Sequence, residues 1–175
     1  QTTAFGAIFV IALSLPFAWL WPKLDKRGIN PSYPAKFAWG LVFCGLAFGI
    51  LSWAAGNPGD TGLVSLWWMI LAYFVLVLGE MVLSPIGLAA VTSLSIKRAV
   101  GLMMGAWFLF SAFGEIIAGR MGTWASIEPN ADGSFDVARS LQVYSSVFSD
   151  MMWIGLAAGV LMFVLTPMLK RLMRD

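Results

Sequence analysis

Residues 77–91 read VLGEMVLSPIGLAAV, an apolar run that holds one carboxylate, Glu80, and places a Ser-Pro step four residues after it. In a soluble core an acid without a partner is a costly placement. In a membrane, acids within the apolar span are rare, face a cavity or a partner, and mark functional sites. The run lies inside a longer oily stretch, and the rest of the chain has the same character. Its 175 residues are 59% hydrophobic and 11% charged, with mean hydropathy +0.82. A soluble domain carries about 25% charged residues, more than twice that share. The nine Trp and thirteen Phe agree, since aromatics favour the membrane–water interface. The chain reads as membrane-integral.

A hydrocarbon core of about 30 Å needs about 20 apolar residues of helix. Five stretches meet that need, at about residues 2–21, 37–55, 63–94, 100–122 and 147–169. Lipid cannot satisfy exposed backbone groups, so helices are the expected form and the fold class is all-α with five transmembrane helices. The third stretch is long for one crossing, and Pro85 predicts a kink that accommodates it. Pro16 and Pro22 are expected to bend or end the first. Trp19, Trp21, Trp39, Trp53, Trp67 and Trp68 fall near span ends, as an aromatic belt would.

Lys and Arg fix the expected orientation. Lys23, Lys26, Arg27 and Lys36 follow the first span, Lys97 and Arg98 the third, and Lys170, Arg171 and Arg174 the fifth. The other two linkers hold Arg139 alone. Nine of the eleven cations therefore share one side, which predicts a cytoplasmic C-terminus and a multi-pass protein of the cell's inner (plasma) membrane. Five crossings that begin outside are an odd unit, and one further helix upstream would complete six. No signal peptide precedes the first span, and Gln1 takes the place of an initiator Met. The chain is thus expected to be the C-terminal part of a larger protein, lacking an N-terminal bundle.

Several function classes find no residues. The chain has no His, no phosphate-binding loop, no metal-ligand cluster and no nucleophile–base pair, so no enzyme, metal or cofactor is expected. A net charge of +2, spread as short clusters between apolar runs, gives no nucleic-acid surface. Cys44 sits in an apolar run and reads as a small packing residue. Asp150 is expected at the outer start of the fifth helix, where an N-terminus tolerates a carboxylate, with Tyr144 and the serines beside it as a cap.

The remaining signal is in the third and fourth spans. Glu80 falls near the bilayer midplane, where an ionised carboxylate costs about 2.5–3.5 kcal/mol on insertion scales. Its role is either to meet a cationic substrate or proton or to make a helix–helix hydrogen bond. Ser84 and Gly87 follow at i+4 and i+7 on the same helix face, so a carboxylate, a hydroxyl and bare backbone would form one wall suited to an ammonium group. In the fourth span Trp107, Ser111 and Glu115 form a second stripe at i, i+4 and i+8. Trp107 and Ser111 are expected to line the substrate cavity, the alternative for Trp107 being a packing or interfacial residue. Glu115 is either half of an outer-gate ion pair or a packed, protonated acid. Gly101 and Gly105 form a G-x-x-x-G pair suited to close contact with a neighbouring helix.

These residues carry a likeness. GEMVLSPIGLAAVTSLSIKRAVGLMMGAWFLFSAFGEIIAG, residues 79–119, resembles the tenth and eleventh helices of the proton-coupled oligopeptide transporters, a family of the major facilitator superfamily. LPFAWLWPKLDKRG (15–28) is similar to the end of that family's eighth helix, PSYPAKFAWGL (31–41) to the start of its ninth, and LQVYSSVF (141–148) to the approach to its twelfth. The resemblance implies helices eight to twelve of a symporter that moves di- and tripeptides inward with protons. It also implies that Glu80 holds the peptide amino terminus, with Ser84 and Trp107 beside it. The family's eighth helix usually opens with an Asn-containing motif that contacts the peptide. Residues 1–21 here contain no Asn, with Ala4 or Gly6 near that place.

The expected partners are a short peptide, a proton, the lipid bilayer and the N-terminal bundle. Two other readings remain: a symporter of the same fold for another small solute such as nitrate, and a membrane module that transports nothing.

Overall fold

The computed structural model describes residues 2–59, 62–127 and 135–172. Its regular structure is five helices: α1 (Thr2–Lys26), α2 (Tyr33–Gly56), α3 (Leu66–Leu94), α4 (Val100–Trp124) and α5 (Val137–Leu172). All five are long and apolar enough to cross a membrane. The all-α architecture read from hydropathy is the one found.

Helix ends follow local chemistry more closely than hydropathy. α1 does not end at Pro22 but passes both prolines and stops at Lys26. Its stop is set by Gly28, whose φ of +68° lies in the left-handed region open to glycine. The N–H of Gly28 donates to the carbonyl of Asp25 and that of Ile29 to the carbonyl of Leu24, a Schellman arrangement that satisfies the last carbonyls. α3 runs unbroken through Pro85. Neighbouring helices and local adjustment make such prolines tolerable in a membrane span. α5 begins ten residues ahead of the apolar stretch, because Asp136 supplies a start: its Oδ1 accepts the N–H of Arg139 at 3.2 Å. Asp150 is therefore well inside α5, and the expectation that it sits at a helix N-terminus is corrected.

α2 is the central post. It runs antiparallel to α5 along a seam of small residues, with Gly45 meeting Gly155 and Gly159 meeting Ala38 and Val42. A Cβ placed on Gly155 would stand 2.9 Å from the Cα of Gly45, so the two backbones approach as only glycine permits. At one end of the seam Ser52 Oγ donates to the carbonyl of Ser145 at 2.8 Å, and Ser145 Oγ donates to the carbonyl of Ser52 at 3.0 Å. At the other end Trp39 meets Phe163 edge to face, 5.4 Å between centroids.

On its other side α2 packs antiparallel to α3. Gly40 stands against Gly79 and Leu83, Cys44 Sγ reaches the Gly79 backbone, and Trp53 meets Trp68 at 4.6 Å. Cys44 thus fills a gap between helices, as a small apolar residue would. α1 joins through α3, with Phe9 against Phe74 at 5.5 Å. α4 also packs on α3, and none of its residues is buried.

Candidate functional site

Glu80 is at the middle of α3, and its side chain is exposed although the adjacent Gly79 is buried against α2. One turn on, Ser84 is exposed as well. Gly87, the third member of the expected wall, is not bare. The indole of Trp107 covers it, and Phe37 from α2 meets that indole edge to face at 6.2 Å. The expected patch of open backbone is therefore an aromatic joint. Trp107 is half-buried there, on the face of α3 that also carries Glu80 and Ser84.

Matching depths organise the rest. Gly87 lies seven residues before the end of α3 and Trp107 seven after the start of α4, about 10 Å from the turn in each case. By the same count Ser84 and Ser111 are level at ten and eleven residues from the turn, and Glu80 and Glu115 at fourteen and fifteen. The two stripes read separately in the sequence thus rise from the α3–α4 turn as the two sides of a ladder, and the contact found between them among the described residues is its lowest rung, Trp107 on Gly87. Above that joint no α4 residue is buried, and its far half, at Ala118, Met121 and Gly122, lines an apolar groove with Cys44 and Phe48 of α2 and Phe148 of α5. Ser111 and Glu115 are both exposed, and Ser111 Oγ donates to the Trp107 carbonyl at 3.0 Å within its own helix. Gly101 and Gly105 also meet no neighbour: a Cβ on either would find open space. Among the described residues, the contact their spacing suggests is not made.

The arrangement offers two carboxylates, two hydroxyls and an indole along one open face, with an apolar bundle behind. Exposed carboxylates at that depth suit a cationic group. No group of His, Cys, Asp or Glu among the described residues could hold a metal ion. A second polar concavity, of about 570 Å³, opens where α2 and α5 diverge, lined among others by Ser52, Gln142, Ser145, Ser149 and Asp150. No sequence pattern points to it, because its wall depends on which turns of α2 and α5 align. The Gly87–Trp107 pair, in contrast, had a signal in the equal offsets from the α3–α4 turn.

Known proteins match this chain along most of its length. The model of the POT family matches residues 1–137. Dipeptide and tripeptide permease B of Aliivibrio fischeri (strain MJ11) is 36% identical over 173 residues, covering 97% of this chain and 34% of that protein. Dipeptide and tripeptide permease A of Pectobacterium carotovorum subsp. carotovorum is 42% identical over 154 residues, covering 86% of this chain and 29% of the permease. The chain thus spans about a third of the length of the curated relatives it matches. Among solved structures, a peptide transporter POT in complex with sulfate superposes with a TM-score of 0.79 at 32% identity, over 98% of this chain and 31% of that one. Tetrameric PepTSo2 gives 0.76 at 28%, over 98% and 33%. With its five membrane-length helices folded as in these transporters, the chain belongs to the POT family.

Proposed function

We propose that the chain is helices eight to twelve of a secondary active transporter that carries di- and tripeptides into the cell with protons, by alternating access. Family membership supports this, since the named relatives are dipeptide and tripeptide permeases. The observation that carries it is Glu80, an exposed carboxylate at the middle of α3, one residue from the buried contact of Gly79 with α2. Its carboxylate takes the peptide ammonium, and Ser84 and Ser111 supply acceptors on either side of the ladder. Trp107 floors the space, and Glu115 shares the proton-linked charge from the facing helix. A peptide amine and a proton both neutralise negative charge here, so each changes the cost of holding the other. The opposite wall comes from the N-terminal bundle, which rocks against this one about the midplane. The protein lies in the plasma membrane with its C-terminus in the cytoplasm.

The test is uptake of a labelled dipeptide by proteoliposomes of the full-length protein under an inward proton gradient. Excess dialanine is expected to block it, and collapsing the gradient is expected to end accumulation. A second reading, the same fold carrying another small solute such as nitrate, is favoured by the lack of Asn in residues 1–21. Dialanine without effect, beside uptake of nitrate, would select it.

A further inference from the structure

Lys36 has a surrounding that an orientation signal does not need. It stands in the first turn of α2, yet only 7% of its surface is exposed. Lysine is almost never buried this deeply unless paired. Its Nζ lies 4.1 Å from the centroid of the Trp21 ring, a cation–π contact, and makes no hydrogen bond among the described residues, while the nitrogen, unlike Ser32 Oγ, is not fully enclosed. A nearby acid, Asp25, accepts the side-chain amide of Asn30 through Oδ1 at 3.1 Å and acts on Lys36 through its charge without a close ion pair.

The same lysine lines a cavity of about 380 Å³ with Ser32, Tyr33, Leu94 and Lys170. The α1–α2 linker, the start of α2, the end of α3 and the end of α5 meet there. Two lysines from opposite ends of the chain thus share one pocket. Ser32, at the N-cap of α2, makes no side-chain cap, and its Oγ is buried with no hydrogen-bond partner. A buried hydroxyl without a partner calls for an explanation. A helix N-terminus adds positive partial charge at the same spot, although Pro34 has no N–H to offer and that of Lys36 goes to the Ser32 carbonyl. The two lysines, the buried hydroxyl and the helix start together ask for an anion with several acceptor oxygens, against the one carboxylate of Asp25.

We infer that this pocket binds a phosphate group, held by Lys36 and Lys170 and by the Ser32 hydroxyl at the start of α2. Its place suits the chemistry. It lies at the end of the bundle where Lys23, Lys26, Lys97 and Arg171 also gather, the level at which a lipid phosphate would sit. Its volume falls in the range of ligand clefts. The phosphate comes either from an anionic phospholipid headgroup or from a soluble phosphate, and the chemistry is shared. This site is separate from the Glu80 ladder and does not depend on what the ladder carries.

The test uses the full-length protein purified in neutral detergent and melted with increasing short-chain phosphatidylglycerol, inorganic phosphate, or potassium chloride at equal ionic strength. At least one phosphate compound is expected to raise the melting temperature in a saturable way that chloride does not. Action by phosphatidylglycerol alone identifies a lipid site, and action by inorganic phosphate a soluble one. Lys36→Gln and Lys170→Gln are each expected to raise the half-saturating concentration about tenfold, the effect of losing one charge-assisted bond, and Lys36→Arg is expected to retain binding. Lys170 is exposed, so its variant decides the matter even where Lys36→Gln does not fold. Neither compound exceeding chloride, or Lys170→Gln saturating at the wild-type dose, overturns the site.

Discussion

Trp107 occupies the place where a side chain at Gly87 would stand: a Cβ there would lie 2.6 Å from Cζ2 of the indole. A contact between a bare backbone and a large ring therefore helps join α4 to α3, and it lies two turns from Glu80 on the same face. The fit is steric before it is chemical. Gly87→Val is expected to expel the indole and lower stability by about 1–3 kcal/mol, the usual effect of overpacking. The check is the melting temperature together with the tryptophan emission maximum. An unchanged melting temperature would mean that the ring has another seat.

Glu80→Gln keeps the shape of the side chain and removes its charge. Gradient-driven peptide uptake is expected to fall at least about a hundredfold, near 2.7 kcal/mol of lost stabilisation, while the melting temperature stays close to wild type. Wild-type uptake rates would take Glu80 out of the mechanism.

Glu115→Gln probes the upper rung opposite. With Glu115 exposed and level with Glu80, its loss is expected to alter the proton dependence of uptake more than peptide affinity. Counterflow, which needs no net proton movement, is expected to survive this change. Loss of both activities together would make Glu115 a structural acid.

The reciprocal serines that tie α2 to α5 allow a double-mutant cycle. Ser52→Ala and Ser145→Ala are each expected to lower stability by about 1 kcal/mol. The double variant is expected to cost less than the sum, because their hydrogen bonds close one ring of contacts. Strict additivity in thermal unfolding would show that the two bonds act independently.

A cysteine placed at Ser84, with Cys44 changed to Ala, reports whether the ladder faces water. Labelling by a membrane-impermeant maleimide is expected, and excess dialanine is expected to slow it. A site that no reagent reaches from either side would mean a packed seam and would favour the module that transports nothing.

How much of this was legible in the sequence depended on range. The five helices were, because twenty apolar residues in a row admit few other forms. Glu80 and Ser84 were legible as a stripe, because i and i+4 share a helix face whatever surrounds the helix. The early start of α5 was not, since VARSLQVYSS is polar and nothing in hydropathy asks it to be helical. The covering of Gly87 was missed for another reason: it joins two helices, and facing is a tertiary property. Lys36 was counted only as one cation among nine, because a charge tally records the side of the membrane and says nothing of burial. Spacing likewise suggests a neighbour for Gly101 and Gly105, and among the described residues none stands there.

The glycine-on-glycine meeting of Gly45 and Gly155 has a mechanical consequence. Sliding α5 by one residue along α2 would drive Leu156 into the backbone where Gly155 now rests, so the pair cannot shear and behaves as a stiff beam. Flexing during any working stroke is then left to α1 and α4, each braced mainly by α3. Under the transport proposed above, the arms would set the tempo and the spine would set where they hinge.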